Sequence, residues 1–338
     1  MLPLPKHPGV SYIMPVLNEA EHLEAAVAGI LAQKYDGEAE VILALGNSTD
    51  GTSELAESLA AADPRIQLVR NPANDVPIGL NLAIRASKYP VIIRVDAHSE
   101  LPPDYTAELV GVLASTDAVN VGGVMLAKGD GPVQEAIARA YNSPFGLGGA
   151  AYHGGRTDVP MAAESAYLGV YRREIFDEVG YFDESMRRAQ DWELNYRIRQ
   201  QGYVILFDPG VEVGYWPRAS FGALRKQMYA TGVWRGALVR RQGKTPLRYL
   251  APPLLVLGLL ASLGIALTGA GGRRWLAGCL PALYILGLTG VSFTMPGRSP
   301  FGKVLNVLTL AVIHISWGLG FLRGLLRGAG STVDKSRA

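Results

Sequence analysis

The sequence is poor in cysteine and, over its second part, in acidic residues. Its 338 residues include one cysteine, Cys279, so no disulfide can form within the chain. No Asp or Glu lies between Arg218 and Arg248, although this stretch holds eight Lys or Arg. Such a stretch is typical of binding to nucleic acid or to an anionic membrane surface. Its position directly before an apolar segment favours the membrane and no nucleic-acid partner, since each basic side chain near anionic headgroups contributes about 1 kcal/mol.

Three apolar segments close the chain. They cover approximately Leu250–Gly269, Trp275–Met295 and Val304–Leu322. A helix of about 20 apolar residues is long enough to cross roughly 30 Å of hydrocarbon. The sequence therefore predicts a multi-pass membrane protein.

The orientation of these segments depends on the basic residues that flank them. The short, Pro-rich stretch Met1–Gly9 has no apolar run, so we expect no signal peptide and a globular part that stays at the cytoplasmic membrane's inner face. The basic stretch before Leu250 predicts the same side. Three crossings would leave the tail outside despite its basic residues, which are Arg323, Arg327, Lys335 and Arg337. Either the tail violates the charge bias or one segment is re-entrant.

The first part of the chain alternates strand-like and helix-like segments, which predicts βαβ units and a mostly parallel sheet. The predicted strands are Val10–Val16, Glu40–Leu45, Ile66–Arg70 and Pro90–Asp96; the helices are Glu19–Lys34, one opened by Thr49–Thr52, Pro77–Lys88 and Pro103–Ser115. Later segments give a loop (Tyr141–Glu164), a strand (Ala166–Tyr171) and helices (Glu174–Val179 and Asp191–Gln201). Ligands of such sheets bind beyond the carboxyl ends of the strands.

The strongest local feature is Asp96-Ala-His98, which follows an apolar strand. A carboxylate and an imidazole two residues apart suit a divalent ion, Mn²⁺ or Mg²⁺, although Mg²⁺ prefers oxygen ligands. An ion at this place would neutralise charge that grows on a diphosphate leaving group. The alternative is a capping Asp with a neighbouring surface His.

Five motifs in order resemble family 2 glycosyltransferases, which have the GT-A fold. They begin at Pro15 (Pro-Val-Leu-Asn-Glu), Ser48 (Ser-Thr-Asp-Gly-Thr), Asp96 (Asp-Ala-His), Gly180 (Gly-Tyr-Phe-Asp-Glu) and Gln190 (Gln-Asp-Trp-Glu-Leu). The match extends over about Val10–Asp208. With the trailing apolar segments, it is most similar to the succinoglycan-type exopolysaccharide glucosyltransferase group. The resemblance implies an α/β GT-A domain followed by transmembrane helices.

The resemblance also implies roles for individual residues. Asp191 would be the general base, and Asp96 and His98 would hold the metal. The residues implied to bind the nucleotide-sugar donor are Pro15, Asn18, Glu19, Asn47, Ser48, Asp50, Asn71 and Asp96; those implied to bind the acceptor are Glu164, Gly169, Gln190 and Trp192. For Glu19 and Asp50, the alternative is an acid at a helix N-terminus.

Two residues depart from the family pattern. Gln190 stands where the family has Glu before the base, which removes a negative charge beside Asp191. Leu45 stands where relatives often have an acid that hydrogen-bonds to the edge of the nucleobase, and the leucine side chain accepts no hydrogen bond. Recognition of the base must therefore come from elsewhere, and a UDP-sugar is the default expectation.

Two segments concern the acceptor. The glycine-rich loop that begins at Ser143, followed by His153 and Arg156, is interpreted either as a cradle for the phosphate of a lipid-linked acceptor or as a flexible loop. Ser220–Arg241 is predicted to form an amphipathic interfacial helix. It lacks the Gln-x-x-Arg-Trp run of processive synthases, which favours addition of a single sugar.

The expected organisation is a glycosyltransferase domain (1–215), a basic interfacial segment (216–248), three membrane helices (249–326) and a polar tail (327–338). The expected activity is inverting, metal-dependent, non-processive transfer from a nucleotide-sugar to a lipid-linked, polyprenyl-diphosphate-type acceptor in exopolysaccharide or cell-envelope glycan synthesis. The alternatives are a polyprenyl-monophosphate glycosyl synthase and, from another class, a catalytically silent membrane scaffold.

Overall fold

The computed structural model describes residues 3–147, 159–268, 274–297, 299–330 and 332. The chain divides into two compact units. The first comprises Met1–Leu126 and Gly154–Tyr215, and the second comprises Ala127–His153 and Trp216–Ala338. The expected boundary at residue 215 coincides with the end of the first unit. The assignment of 127–153 to the second unit differs from the expected single domain of residues 1–215.

The first unit is an α/β structure around one sheet. Its strands are β1 (Val10–Val16), β2 (Ala39–Leu45), β3 (Ile66–Arg70), β4 (Val91–Arg94), β5 (Ser99–Glu100), β6 (Ala118–Ala127), β7 (Met161–Ala162), β8 (Tyr167–Arg172) and β9 (Val204–Tyr215). Its helices are α1 (Leu23–Leu31), α2 (Thr52–Ala62), α3 (Val76–Ala86), α4 (Tyr105–Ser115), α6 (Glu174–Val179) and α7 (Gln190–Gln200).

The sheet has the order β3-β2-β1-β4-β8-β6-β9-β5, with β7 paired to β9. The first four strands are parallel, as predicted, because helices connect them. β8 then runs antiparallel to both β4 and β6, and β9 runs antiparallel to β5 and β7. The α/β class is confirmed, but the sheet is mixed rather than mostly parallel.

The central strands are buried on both faces, and an apolar cluster lies on each side of the sheet. Tyr12 and Met14 of β1 belong to one cluster, whereas Ile13 belongs to the other. This alternation follows from the two-residue period of a strand. The buried sheet holds the carboxyl ends of β1 to β4 at one edge, where the polar residues discussed below are found.

The second unit is helical. It contains α5 (Gly131–Tyr141), α8 (Phe221–Gln242), a 3₁₀ turn (Leu247–Leu250), α9 (Ala251–Thr268), α10 (Leu276–Thr294) and α11 (Pro300–Arg327). Three helical stretches are long and apolar enough to cross a membrane: Leu247–Thr268, Leu276–Thr294 and Pro300–Arg327. These correspond to the three predicted segments. They indicate that the protein associates with a membrane.

Helices α8 and α11 pack with their backbones in close contact. A Cβ added at Gly232 of α8 would lie 2.1 Å from the carbonyl oxygen of Trp317, and one at Gly324 of α11 would lie 1.9 Å from that of Val233. The predicted helix in Ser220–Arg241 is therefore present. Its expected one-sided amphipathic character is wrong, because every residue from Gly232 to Leu238 is buried.

Candidate functional site

The loops after β1 and β2 are joined by hydrogen bonds at the carboxyl edge of the sheet. The backbone N–H of Asn18 donates to Ser48 Oγ at 3.0 Å, and that of Thr49 donates to Asn18 Oδ1 at 2.9 Å. Asn18 has a φ of 52°, a left-handed conformation that asparagine tolerates. Pro15 lies half-buried in β1 beside Ala44 of β2. The predicted donor residues Asn18 and Ser48 thus belong to one pair of neighbouring loops, and Pro15 lies in the strand before the first loop.

Asp50 holds the same loops together. Its carboxylate accepts hydrogen bonds from the backbone N–H groups of Ala20, at 3.1 Å, and of Thr52, also at 3.1 Å. Glu19 is attached nearby, since its own N–H donates to Thr52 Oγ1 at 2.9 Å. Hydrogen bonds from the Thr52 hydroxyl and from these backbone groups lower the pKa of Asp50. These contacts give Asp50 a structural role, and donor binding by this residue stays a prediction.

Two asparagines follow β2 and β3. The N–H of Asn47 donates to Asn74 Oδ1 at 2.7 Å, and Asn71 Nδ2 donates to the carbonyl oxygen of Asp75 at 3.0 Å. Asn71 is 4% exposed, and its Oδ1 has no hydrogen-bond partner among the described residues. The backbone N–H of Asn71 donates to the Leu45 carbonyl. The unpartnered hydrogen-bond acceptor of Asn71 therefore belongs to a residue bonded to Leu45, which stands where family members often have an acid.

Arg94, at the end of β4, connects the two principal carboxylates of the site. Its guanidinium forms an ion pair with Asp191 and another with Asp96, where Nη2 and Oδ1 are 3.0 Å apart. The Arg94 side chain is 10% exposed. Burial alone would lower the pKa of Arg94, but the adjacent carboxylates of Asp191 and Asp96 outweigh it and raise that pKa, so the group stays charged. The predicted base and the predicted metal ligand are thus brought to one place by a residue that sequence reasoning did not single out.

His98 lies beside Glu19 and two tyrosines. Its Nδ1 is 3.4 Å from Glu19 Oε1, and this buried nitrogen has no hydrogen-bond partner among the described residues. The ring packs edge-on against Tyr215, which in turn packs against Tyr167. Burial, with a smaller contribution from the nearby Asp96 carboxylate, raises the pKa of Tyr167. The two tyrosines therefore form an aromatic wall next to His98.

The residues around Asp96 fit a divalent ion whose shell is completed by substrate. The carboxylate of Asp96 and the unpartnered Nδ1 of His98 are suitable ligands, with Glu19 next to His98. No group of three or more His, Cys, Asp or Glu side chains able to hold a metal occurs within the described part of the chain. Such a sparse protein shell is typical of ions bound through one or two side chains plus phosphate oxygens and water.

Asp191 lies in the first turn of α7. The preceding Ala189 has a φ of 62°, which is uncommon for a residue with a Cβ and stores strain of the kind found at functional sites. Asp191 follows Gln190, which is buried. Burial raises the pKa of Tyr171, and the nearby Asp191 carboxylate adds to this increase. Asp191 thus lies where the partial positive charge of a helix N-terminus attracts negatively charged groups. Its position suits a base held beside Arg94.

The residues predicted to bind the acceptor differ in how far they are exposed. Glu164 and Trp192 are partly exposed and have contacts of their own within the protein. Gly169 is buried in β8, and a Cβ there would lie 2.4 Å from Asn120 Oδ1. This close approach explains the glycine by packing within the sheet, and contact of Gly169 with the acceptor stays a prediction. Gln190 is also buried, with 7% of its surface exposed.

The loop that begins at Ser143 belongs to the second unit. Ser143–Leu147 is described, and the Phe145 carbonyl oxygen accepts a hydrogen bond from His314 Nε2 at 2.7 Å. Gly148, Gly149, His153 and Arg156 lie outside the described residues. The phosphate cradle expected of this loop stays a prediction.

Comparison with known proteins identifies the family. The family model "Glycosyl transferase family 2" matches residues 11–180. The chain is 34% identical over 324 residues to the succinoglycan biosynthesis protein ExoA of Rhizobium meliloti (strain 1021), covering 93% of this chain and 94% of the relative. It is 21% identical over 330 residues to the dolichyl N-acetyl-α-D-glucosaminyl phosphate 3-β-D-2,3-diacetamido-2,3-dideoxy-β-D-glucuronosyltransferase of Methanococcus voltae, covering 94% of this chain and 98% of that one.

The fold is similar to that of the mannosyltransferase PcManGT from Pyrobaculum calidifontis, solved in complex with GDP-Man and Mn²⁺. The TM-score is 0.64 at 21% identity, over 96% of this chain and 89% of the other. This similarity confirms the GT-A fold expected from the motifs. With the family match and the extent of the ExoA similarity, it leads to one conclusion: the chain belongs to glycosyl transferase family 2 and is a glycosyltransferase of the ExoA type in glycan biosynthesis.

Proposed function

We propose that the protein transfers one sugar from a nucleotide-sugar to a lipid-linked glycan, with inversion and with dependence on a divalent ion, at the cytoplasmic face of the membrane. The observation that carries this proposal is the ion-paired arrangement of Asp96, Arg94 and Asp191. The Arg94 guanidinium lies between the Asp96 carboxylate, which would face the donor, and the Asp191 carboxylate, which would face the acceptor. A single displacement needs a base and a leaving-group site placed in this way.

In the proposed reaction, the Asp191 carboxylate takes the proton from an acceptor hydroxyl. The acceptor oxygen forms a bond to the anomeric carbon while the bond from that carbon to the diphosphate oxygen breaks. The diphosphate leaves from the opposite face with the electron pair, so the configuration inverts. A positioned base of this kind contributes about 10²- to 10⁴-fold in rate.

Asp96 and His98 are the residues that would hold the ion. When bound, a divalent ion would neutralise the charge that grows on the leaving diphosphate. Mn²⁺ is the first choice, because an imidazole is among the proposed ligands and Mg²⁺ favours oxygen. The relative from Pyrobaculum was solved with Mn²⁺, which supports the same choice.

We propose that Asn71 supplies a hydrogen-bond acceptor for the nucleobase, which the side chain of Leu45 cannot supply. Its Oδ1 is buried and has no partner among the described residues, which is costly unless a ligand completes it. An amide oxygen can accept the N–H of uracil or of guanine, so this residue alone does not choose between them. UDP-sugars are proposed as the first donors to test, with GDP-sugars as the comparison.

A lipid-linked acceptor is supported by two observations. The second unit contains helices apolar enough to cross a membrane, and the Methanococcus relative is named for a dolichyl-linked sugar phosphate. The absence of a Gln-x-x-Arg-Trp run supports addition of a single sugar. The basic stretch before the apolar helices supports the cytoplasmic side.

The test is donor consumption and transfer by the full chain in membranes. We expect one UDP- or GDP-sugar to be consumed with Mn²⁺ or Mg²⁺ and not after chelation, and Asp96→Ala to abolish the reaction. Asp177→Asn, an exposed acid on α6, is the matched control and should leave activity unchanged. Consumption of no donor with any lipid acceptor would contradict the proposal and favour a silent scaffold.

The acceptor class is decided in the same assay. Polyprenyl-diphosphate-linked sugar and polyprenyl monophosphate are supplied separately. A hydroxyl acceptor needs Asp191, whereas a phosphate is already ionised and does not. Transfer to the monophosphate that survives Asp191→Asn would therefore show a polyprenyl-monophosphate glycosyl synthase instead.

A further inference from the structure

Helix α7, which carries Asp191, has a buried amide on the same face as the proposed base. Its residues Leu194 and Ile198 pack in one of the two apolar clusters of the first unit. Asn195, directly after Leu194, is fully buried. Because Asn195 lies four residues after Asp191, the two side chains are neighbours on one face of the helix. The amide of Asn195 is therefore placed to influence how the base is held.

Both polar groups of this amide are hydrogen-bonded. Asn195 Oδ1 accepts from Asn120 Nδ2 of β6 at 2.8 Å, and Asn195 Nδ2 donates to Ser165 Oγ at 2.9 Å. Asn120 is fully buried, and Ser165 is also buried. We call these three residues the polar seam. Hydrogen bonds are directional, so the polar seam favours one orientation of the groups that it joins.

The register of the sheet puts Arg94 on the same face as the polar seam. Asn120 of β6 pairs with Tyr171 of β8, and Tyr171 pairs in turn with Ile92 of β4. Side chains two residues apart in a strand point to the same face, so Arg94 shares the face of Ile92. Helix α7 therefore contacts this face at two polar points one helical turn apart, the ion pair of Arg94 and the polar seam.

These two points differ in what the proposed reaction does to them. When the Asp191 carboxylate takes a proton from the acceptor, it loses the negative charge that attracts the Arg94 guanidinium. The amides and the hydroxyl of the polar seam carry no charge, so their hydrogen bonds do not change in that step. The apolar contacts of α7 are non-directional and do not fix the rotation of the helix about its axis. The polar seam is therefore the directional contact that persists through the reaction.

We infer that Asn195 is a positioning residue for the general base. Its hydrogen bonds to Asn120 and Ser165 set the rotation of α7 about its axis, and this rotation places the Asp191 carboxylate beside Arg94. The inference rests on the proposed role of Asp191 and adds a residue that is too deeply buried to touch the substrate.

The polar seam also reaches the acceptor side of the site and not the nucleobase. Ser165 directly follows Glu164, which is predicted to bind the acceptor, whereas Asn71, proposed to bind the nucleobase, follows β3. A change in the polar seam should therefore lower kcat and leave the KM for the donor unchanged.

The test compares a broken polar seam with an apolar one in the full chain. Asn195→Ala alone takes a partner from Asn120 and from Ser165, so we expect both the thermal midpoint and kcat to fall. The triple variant Asn120→Val, Ser165→Ala and Asn195→Ala replaces all three polar groups and should regain most of the thermal midpoint. Its kcat should stay about 10- to 10²-fold below that of the unaltered protein, since a displacement of about 1 Å is enough for such a loss.

Thr106→Val is the matched control. Thr106 is fully buried and hydrogen-bonds to Tyr12 and Gln33, and Tyr12 belongs to the apolar cluster on the other face of the sheet. We expect this variant to have a lower thermal midpoint and an unchanged kcat. Recovery of kcat together with the thermal midpoint in the triple variant would overturn the inference, because the polar seam would then act only as part of the core.

A second readout does not depend on transfer. Hydrogen exchange of the backbone amides at residues 193–198 is measured for the full chain in detergent. We expect exchange there to be about 10-fold faster in the triple variant, while the amides of β1 exchange at an unaltered rate. Unaltered exchange at 193–198 would also overturn the inference. Failure of the unaltered protein to consume any donor would contradict the proposed function instead, and the exchange measurement would still decide whether the polar seam holds α7.

Discussion

Arg94 lies between two carboxylates that would repel each other without it. Removal of one partner from a buried, ion-paired group typically costs about 3 kcal/mol or more. We therefore expect Arg94→Ala to lower the midpoint of thermal unfolding by several degrees and to reduce transfer. Arg94→Lys should restore charge but not the paired contacts to Asp96 and Asp191, because an ammonium lacks the planar fork of arginine.

Comparing the thermal midpoint with kcat separates a purely structural role of Arg94 from a role in positioning the two carboxylates. If the residue positions the carboxylates, Arg94→Lys should regain most of the stability and yet keep a reduced kcat. Arg85→Ala is the matched control, since Arg85 lies over the ring of Tyr181 and outside the site. Equal kcat in Arg94→Lys and the unaltered protein would contradict the positioning role.

Among the kinetic constants, Asp191 is expected to affect the chemical step rather than donor binding. Asp191→Asn keeps the size and position of the side chain but removes the base. We expect kcat to fall about 10²- to 10⁴-fold while the KM for the donor changes little. Steady-state transfer at varied donor concentration measures both. A large rise in donor KM with kcat unchanged would place Asp191 in donor binding instead.

Residue by residue, the sequence indicated those groups that lie inside short motifs. Asp96, His98 and Asp191 each stand in a run that resembles the family, so their importance was visible without a structure. Arg94 was missed as a site residue because its partner Asp191 is 97 positions away in the chain. The available signal was a cation at the end of an otherwise apolar strand. Gly169 was assigned to acceptor binding by resemblance, and its closeness to Asn120 appears only in three dimensions.

Elements with regular patterns were predicted well, and irregular ones were not. β1, β3 and α6 have the predicted bounds, whereas α1 is shorter than predicted because residues 19–22 form a turn fixed by Thr52. β6 and β9 were not predicted. β6 contains Gly122 and Gly123, and β9 contains an Asp-Pro-Gly run at its middle. Both features disfavour a strand locally, and pairing with neighbouring strands outweighs them.

The contact between α8 and α11 gives a prediction at the level of helices. Alanine in place of glycine stabilises an isolated helix by about 1 kcal/mol. At Gly324 we nevertheless expect Gly→Ala to destabilise the protein, because the new methyl group would overlap the Val233 carbonyl oxygen. The measurement is the thermal midpoint of the purified protein in detergent.

Gly264 of α9 is the matched control for that substitution. A Cβ at this position meets nothing within 4 Å, so Gly264→Ala should be neutral or stabilising. The difference between the two substitutions then isolates the packing of α8 on α11 from helix propensity. A gain in stability for both would mean that these helices are not in close contact.

For the whole molecule, the division into units was the feature least accessible to sequence reasoning. The segment that contains α5 has a soluble composition and lies within the matched family region 11–180, so it was assigned to residues 1–215. Its side chains pack in the second unit instead: Arg139 donates to Asn306, and Tyr141 donates to Gln227 at 3.0 Å. Such long-range packing leaves no periodic signal in α5 itself.

The division predicts how a shortened chain will behave. A chain that ends at Tyr215 keeps every strand of the sheet but removes the helices against which α5 packs. Ile137 and Tyr141, buried in the full chain, would then be exposed to water. We expect this shortened chain to aggregate and to bind a hydrophobic dye more strongly than the full chain in detergent, as measured by sedimentation and fluorescence.

Substitution within α5 tests the cause of that behaviour. In the shortened chain, Ile137→Lys should reduce aggregation, because the position no longer faces a partner. In the full chain, the same substitution buries a charge without a counter-ion and should lower the thermal midpoint. We therefore expect Ile137→Lys to improve the behaviour of the shortened chain and to destabilise the full chain. A Lys in the core of the first unit should instead destabilise both chains equally. Ile92→Lys, in the sheet of the first unit, provides that comparison.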